Sequence, residues 1–183
     1  MKNIILNNKE NSKKENVIIK NIKYSELDKI LNLQDKILKD IDKSMYAKTS
    51  REEFRYYFDT DSIIIGCFTK EESLIAFGIG AKYGMSEHNY AYELGVIGSN
   101  LDKNIQIDTV AVEKSFRGNK LQNIICEIIE NIAKTQNYEN ILATVHPENK
   151  YSLNVFLNLG YQIKKKTIMY TNLERYILSK EII

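Results

Sequence analysis

Residues 107–122, with the sequence IDTVAVEKSFRGNKLQ, constrain the fold more than any other part of this 183-residue chain. Their first half is apolar and β-branched, which predicts a buried strand that ends at Val112. A turn containing Arg117 and Gly118 follows, and a helix is predicted over 118–136. The helix prediction depends on one apolar face with regular spacing, formed by Leu121, Ile124, Ile125, Ile128, Ile129 and Ile132. The segment is therefore typical of a strand–turn–helix unit in an α/β domain.

The start of this helix predicts an anion site. A helix that begins directly after a tight turn leaves its first backbone N–H groups without intrahelical partners. The positive end of the helix dipole lies at the same place. Arg117 and Lys120 flank the turn and add positive charge. We therefore expect the turn to bind a phosphate group.

This segment resembles the acetyl-CoA signature of the GNAT family of N-acetyltransferases, Arg/Gln-x-x-Gly-x-Gly/Ala after a strand rich in Val and Leu. Arg117 and Gly118 fit the turn, whereas Lys120 and Gln122 stand where glycine, and glycine or alanine, are usual. The resemblance implies that acetyl-CoA is the cosubstrate. It assigns CoA binding to Val110, Ala111, Val112, Arg117, Gly118, Asn119, Lys120, Leu121 and Gln122.

A second segment, residues 141–161, resembles the strand and helix that follow in the same family, with the pattern Asn-x-x-Ala/Ser-x-x-x-Tyr-x-x-x-Gly-Phe/Tyr. The matching positions are Asn149, Ser152, Gly160 and Tyr161. Phe156 occupies the position of the usual tyrosine. The two segments lie in the expected order with one helix between them. The resemblance therefore adds Asn149, Ser152 and Phe156 to the expected CoA site.

Plainer structural roles remain open for several of these residues. Residues 117–122 are also compatible with an ordinary strand-to-helix turn. Asn149 follows Pro147 at a helix start, where asparagine is a favourable cap. Residues 110–112 are also compatible with a core strand. In the resembled family, however, this strand offers unpaired backbone groups to the pantetheine arm, so that the cofactor acts as an added strand.

Composition predicts an ordinary globular protein. The chain is 43% hydrophobic and 27% charged, and its net charge of +2 gives no electrostatic argument for a nucleic-acid partner. It contains no apolar run of membrane-spanning length and no apolar core of a signal peptide near its start. We therefore expect a cytoplasmic monomer or homodimer with neither a nucleic-acid nor a membrane partner. Residues 1–15 are expected to be a polar N-terminal tail, and residues 16–183 a single N-acetyltransferase domain.

The hydrophobic patterns predict strands over 17–22, 62–69, 73–83, 105–112, 140–145, 161–170 and 173–179. Helices are predicted over 25–39, 51–58, 118–136 and 148–159, with Ser25 capping the first, and Thr49, or Ser50 in a capping box with Glu53, capping the second. Residues 84–104 form either a short helix or an active-site loop. The resemblance implies a mixed, mainly antiparallel sheet, splayed between the parallel strands 105–112 and 140–145 and flanked by helices on both faces, as in the acyl-CoA N-acyltransferase fold.

The resemblance also implies direct transfer of acetyl from the thioester to an amine in a ternary complex. The amine must lose a proton before it attacks, which requires a base. Asp108 on the central strand and Glu93 in the 84–104 segment are the candidates, although Asp108 is equally compatible with a solvent-facing strand position. Thr144 stands where some relatives place a glutamate and cannot act as a base. The N–H of Val112 is a candidate donor to the oxyanion.

The leaving thiolate lacks an obvious proton donor, because Phe156 has no hydroxyl. Tyr151, Tyr161 or water are the alternatives, and Tyr161 is the residue that we assign to the catalytic set with Asp108 and Glu93. The thiolate can also leave unprotonated, since a thiol pKa near 8.5 permits it.

The histidines and tyrosines of the chain bear on whether it holds a metal and on where an acceptor could bind. The chain has two histidines, His88 and His146, and no cluster at metal-ligand spacing, so no metal site is expected. Candidates to line an acceptor pocket are Tyr56, Tyr57, Tyr90 and Tyr92. The amine acceptor itself is not identified. The alternative function is a non-catalytic acyl-CoA-binding or sensing module.

Overall fold

The computed structural model describes residues 2–42, 44–170 and 172–182. These residues form one eight-stranded sheet with helices on both faces. The strands are β1 (Lys2–Asn8), β2 (Lys13–Asn21), β3 (Ile63–Thr69), β4 (Leu74–Ala81), β5 (Asn104–Val112), β6 (Asn140–Val145), β7 (Gln162–Met169) and β8 (Leu173–Glu181). The α-helices are α1 (Leu27–Leu38), α2 (Arg51–Asp59), α3 (Leu121–Thr135) and α4 (Lys150–Asn158). Short 3₁₀-helices cover Tyr24–Glu26, Tyr90–Leu94, Gly98–Lys103 and Lys114–Phe116.

The strand order is β1-β2-β3-β4-β5-β6-β8-β7. Among the described strands every neighbouring pair is antiparallel except β5 with β6. These two strands pair only from Asn104 with Asn140 to Ile107 with Ala143. Beyond Ile107 they diverge, which leaves a cleft at their carboxyl ends. The predicted fold class, a mixed sheet splayed between two parallel strands, is confirmed.

The two faces of the sheet carry separate hydrophobic cores. Helix α3 packs on one face through Ile125 and Ile129, which are fully buried. Helices α1 and α2 pack on the other face, through residues that include Ile30 and Phe54. None of the helices in the described part of the chain is long and apolar enough to cross a membrane.

The helix start signals of α1 and α2 had different outcomes. The predicted capping box of α2 is confirmed, because the Glu53 N–H donates to Ser50 Oγ at 3.1 Å and the Ser50 N–H donates to Glu53 Oε2 at 2.7 Å. The predicted cap Ser25 is wrong. It lies inside the 3₁₀-helix Tyr24–Glu26, and the Lys23 N–H donates to the Glu26 carboxylate at 3.0 Å.

The predicted polar tail over 1–15 is corrected by strands β1 and β2. Strand β1 runs antiparallel to β2 from Lys2 to Asn8, and β2 already begins at Lys13. Leu6 of β1 is buried and belongs to the same hydrophobic cluster as the fully buried Val17 of β2. Backbone pairing with β2, rather than an apolar composition, therefore orders this segment at one edge of the sheet.

Candidate active site

A large cavity occupies the cleft between β5 and β6. It is lined on one side by the end of β5, the start of α3 and the start of α4. The predicted CoA-binding residues that line it are Val110, Ala111, Val112, Arg117, Gly118, Lys120, Leu121, Gln122, Asn149, Ser152 and Phe156. Asn119 is not among the lining residues, because its side chain bonds to Asn7 of β1.

The end of β5 presents one unpaired backbone edge to this cavity. Thr109, Val110, Ala111 and Val112 each pair with a residue of β4. No described pairing joins them to β6, whose parallel contacts with β5 end at Ile107. An extended ligand could therefore hydrogen-bond along this edge as an added strand.

The turn after β5 begins the helix later than predicted. Gly118 has φ +90° and Lys120 has φ +58°, so neither continues a right-handed helix, and α3 begins at Leu121 rather than at 118. The Ile124 N–H donates to the Lys120 carbonyl at 3.1 Å and closes the first turn. The N–H groups at 121–123 precede that bond and point out of the helix start, where an anion is favoured.

Polar side chains fix the walls of this half of the cleft. Arg117 Nε donates to the Val112 carbonyl at 3.1 Å, which ties the turn to the end of β5. Gln122 Nε2 donates to Ser152 Oγ at 2.9 Å and links the starts of α3 and α4. The Ser152 N–H donates to Asn149 Oδ1 at 3.2 Å, so Asn149 caps α4 as its position after Pro147 suggested. The walls are therefore held in place by bonds within the protein.

Asp108 lies at a β-bulge on β5. Thr109 pairs with Ile79 and Ile107 pairs with Gly80, so β5 has one more residue than β4 across this step. The bulge changes the alternation of the strand, because Ile107 and Val110, three residues apart, both pack on the α3 face. Bulges commonly redirect a side chain at a functional site. Here the bulge places the Asp108 carboxylate in the cleft beside the α2 face of the sheet.

Three tyrosine hydroxyls donate to the Asp108 carboxylate. Tyr57 donates to Oδ2 at 2.8 Å, and Tyr83 and Tyr90 donate to Oδ1 at 3.4 and 3.3 Å. Burial among these rings raises the pKa of the Asp108 carboxyl above its ordinary value, while the hydrogen bonds from Tyr57 and Tyr90 act in the opposite direction. A carboxylate with a raised pKa is a stronger base and titrates closer to neutral pH.

Residues 84–104, predicted to be either a short helix or an active-site loop, contain two of the short 3₁₀-helices, and residues 86–90 line the cavity. The first of these positions Tyr90, whose N–H donates to the buried Gln106 side chain of β5 at 3.1 Å. The Tyr90 hydroxyl bonds to that of Tyr170, which also contacts Thr144 Oγ1 at 3.2 Å. Burial raises the pKa of Tyr170 to about 12, so its hydroxyl stays protonated at neutral pH.

The tyrosines around Asp108 form a cluster of Tyr56, Tyr57, Tyr83, Tyr90 and Tyr170. Tyr83 and Tyr170 were not predicted from the sequence. Tyr83 stacks on Tyr56 with a centroid separation of 5.6 Å, and both rings line the cavity. Tyr170 follows β7 and lies far in sequence from the other tyrosines of this cluster. No sequence pattern pointed to either residue, because the cluster forms only when the sheet and the 84–104 segment come together.

The other predicted catalytic residues are placed differently. Glu93 lies at the rim of the cavity, where its carboxylate pairs with Lys165 of β7 at 2.7 Å. Tyr161 does not contribute to the lining formed by the described residues. It is 2% exposed, and its hydroxyl is buried on the α3 face, close to Glu130. Phe156 packs on Tyr161 at 5.0 Å between ring centroids, and Tyr151 is 91% exposed.

No group of three or more potential metal ligands occurs among residues 2–42, 44–170 and 172–182.

Solved structures with the same fold include several acetyltransferases. A GNAT-family acetyltransferase from Streptococcus pneumoniae superimposes with a TM-score of 0.70 at 10% identity, over 90% of this chain and 98% of that one. The PaiA N-acetyltransferase of Thermoplasma acidophilum, solved with coenzyme A, gives 0.65 at 12% identity over 90% and 98%. A phosphinothricin acetyltransferase from Sinorhizobium meliloti, solved with acetyl-CoA, gives 0.67 at 10% identity over 90% and 88%.

Comparison with curated protein sequences finds no match. The sequence model described as "Acetyltransferase (GNAT) family" matches residues 31–161, which is well over half of the chain and includes the end of β5, the turn before α3 and most of the tyrosine cluster. The sequence match and the shared fold agree with the resemblance carried by residues 107–122 and 141–161. The chain belongs to the GNAT family of acetyltransferases.

Proposed function

We propose that this protein transfers acetyl directly from acetyl-CoA to an amine, with Asp108 as the general base. The observation that carries the proposal is the position of Asp108: its carboxylate lies in the same cleft as the unpaired β5 edge and the start of α3. The cleft thus combines a base with an extended backbone edge and an anion site. The two related structures that hold CoA or acetyl-CoA support the choice of cosubstrate.

The cosubstrate would bind from the start of α3 toward Asp108. Its pyrophosphate would lie on the N–H groups at 121–123, flanked by Arg117 and Lys120. Its pantetheine arm would pair with the β5 edge at 110–112. Val112 lies four positions beyond Asp108 along the strand, or about 13 Å of extended chain. The thioester end of the arm is thereby directed at the Asp108 end of the cleft.

The transfer then needs one deprotonation and one displacement. The ammonium of the acceptor gives a proton to the Asp108 carboxylate, directly or through water, and the neutral amine attacks the thioester carbonyl carbon. The resulting oxyanion accepts a hydrogen bond from a backbone N–H of the unpaired β5 edge. The C–S bond breaks, CoA leaves as a thiolate, and the new amide loses its second proton to solvent. Phe156 takes no part in proton transfer.

The rings around Asp108 suit a protonated amine. The carboxylate accepts hydrogen bonds from Tyr57, Tyr83 and Tyr90, and the ring of Tyr56 stacks on that of Tyr83. The faces of tyrosine rings attract cations, and the carboxylate supplies the opposite charge. The acceptor amine would be held as an ammonium until Asp108 removes its proton.

A thiol-release assay with acetyl-CoA and a panel of primary amines tests this function. We expect turnover with at least one amine and a loss of about 10²- to 10⁴-fold in kcat/KM for Asp108→Asn, which is the usual contribution of a general base. The matched control is Asp59→Asn, because Asp59 is exposed on α2 and lies outside the cleft. Equal activity of the wild type and Asp108→Asn would exclude Asp108 as the base.

The alternative function is a non-catalytic acyl-CoA sensor, which Phe156 favours because it removes the hydroxyl usual at that position. Calorimetry separates the two. A protein that binds acetyl-CoA but releases no thiol with any amine of the panel is a sensor.

A further inference from the structure

The turn between β1 and β2 reaches the predicted phosphate site. The Lys9 N–H donates to the Ser115 carbonyl at 2.8 Å. A second contact joins Asn7 of β1 to Asn119. Asn119 Nδ2 donates to the Asn7 carbonyl at 2.8 Å, and the Asn7 N–H donates to Asn119 Oδ1 at 2.9 Å. These three hydrogen bonds fix the N-terminal hairpin against the loop that precedes α3. The position of the hairpin relative to this loop is therefore specific.

The hairpin places the Lys9 ammonium at Gly118. Lys9 Nζ lies 3.1 Å from the position that a Cβ atom on Gly118 would occupy. Lys9 also lines the same cavity as Arg117, Gly118 and Lys120. A third cation is thereby added to a site where the sequence motif supplies two.

Within the described part of the chain, the Lys9 ammonium makes no ion pair or hydrogen bond. The hairpin carries two acidic residues near Lys9, Glu10 and Glu15, and neither pairs with Lys9 in the described structure. Glu15 Oε1 accepts instead from Asn8 Nδ2 at 2.6 Å and from Asn11 Nδ2 at 3.3 Å. The first turn of α3 also contains no acidic residue. The cluster of Lys9, Arg117 and Lys120 at a helix start is suited to a dianionic or more highly charged ligand.

We propose that Lys9 is a ligand of the CoA phosphates, supplied by the N-terminal hairpin rather than by the strand–turn–helix motif. The proposal rests on the CoA site described above. The hairpin supplies the ammonium, and the hydrogen bonds of Asn7 and Asn119 hold the hairpin in position. The Lys9 side chain would close over a phosphate seated on the N–H groups at the start of α3.

Calorimetric titration of the purified protein with CoA tests the role of Lys9. We expect Lys9→Ala to raise the Kd for CoA by roughly three- to tenfold, as for the loss of one charge-assisted hydrogen bond at an exposed site. Lys9→Gln should lose a similar factor, and Lys9→Arg should retain most of the affinity. The control is Lys13→Ala, which removes the same charge from the exposed side of the same hairpin and should change Kd by less than about twofold.

Titration with 3′-dephospho-CoA identifies the phosphate. If Lys9 contacts the pyrophosphate, Lys9→Ala weakens both ligands by the same factor. If it contacts the 3′-phosphate, the difference between wild type and Lys9→Ala disappears with the dephosphorylated ligand. Wild-type affinity for CoA in both Lys9→Ala and Lys9→Gln would overturn the role of Lys9 while leaving the CoA site intact. Failure of the wild type to bind CoA would overturn both proposals.

Discussion

The hydroxyl of Tyr57 donates a 2.8 Å hydrogen bond to Oδ2 of Asp108 across the interface between α2 and β5. Tyr57 is 2% exposed, and its hydroxyl also lies 3.0 Å from that of Tyr83. The bond favours the ionised carboxylate, in opposition to the effect of burial. Through Tyr57, helix α2 therefore lowers the pKa of a carboxyl group on the opposite side of its packing interface.

Tyr57→Phe should shift the pH dependence of the reaction. Loss of the hydrogen bond removes a group that lowers the pKa of Asp108, so that pKa rises further. Because the ionised form is the active one, the acidic limb of kcat/KM against pH should move to higher pH. Tyr56→Phe is the control, since its hydroxyl bonds to the Lys82 carbonyl and not to Asp108. An unchanged limb in Tyr57→Phe would separate Tyr57 from the base.

Asp108→Asn should stabilise the folded protein at neutral pH. The folded-state pKa of Asp108 is raised, so its ionisation favours the unfolded chain. The contribution of the Asp108 side chain to the free energy of unfolding is therefore fully present below the ordinary pKa of 3.8. It is lost as the pH rises through the raised pKa of the folded state. The free energy of unfolding of Asp108→Asn should therefore exceed that of the wild type by an amount that grows upward from about pH 4. Urea titrations at several pH values measure this, with Asp59→Asn as the comparison. A variant that loses stability with rising pH relative to the wild type would contradict the prediction.

Lys120→Gly should make the protein more stable than Lys120→Ala by about 1 kcal/mol. Both variants lose the same charge, but only glycine relieves the left-handed backbone with φ +58° before α3. Thermal or urea unfolding measures the difference. Calorimetry should show that both variants bind CoA more weakly than the wild type. Equal stability of the two variants would mean that this turn carries no backbone strain.

Phe156→Ala should cost about 3–5 kcal/mol of unfolding free energy, since the ring is 3% exposed and packs on Tyr161. Leu157→Ala, at the next position of α4, should cost less than about 1 kcal/mol because Leu157 is 42% exposed. Chemical unfolding of the two variants provides the measurement. Equal losses of unfolding free energy in Phe156→Ala and Leu157→Ala would contradict the burial of Phe156 on the inner face of α4.

Local signals in the sequence were sufficient for much of the fold. The capping box at Ser50 and the boundaries of β6 depend on residues close in sequence, and both were predicted. The late start of α3 was not predicted, because positive φ at Lys120 is set by the turn and not by the residue type. Strand β1 was missed because an edge strand buries few side chains, and Leu6 is the one residue of β1 that is buried.

The candidate active site was predictable only in its motif-bearing half. Residues 107–122 and 141–161 carry the cofactor motifs in continuous sequence. The environment of Asp108, in contrast, comes from the bulge opposite β4 and from tyrosines in separate elements, which include Tyr57, Tyr83 and Tyr90. Register and tertiary packing determine these contacts, so neither composition nor spacing indicates them. Tyr161 illustrates the converse, because its position in the motif suggested proton donation and its packing buries the hydroxyl away from the cleft.

Strand β7 forms one outer edge of the sheet and pairs only with β8 among the described strands. It carries three successive lysines, of which Lys165 and Lys166 form ion pairs with Glu93 and Glu174. Lysine on an exposed edge hinders the addition of a strand from another molecule. An open sheet of this size presents a template for aggregation at its ends. This composition therefore keeps the free backbone groups of β7 in water and favours solubility of the folded protein at high concentration.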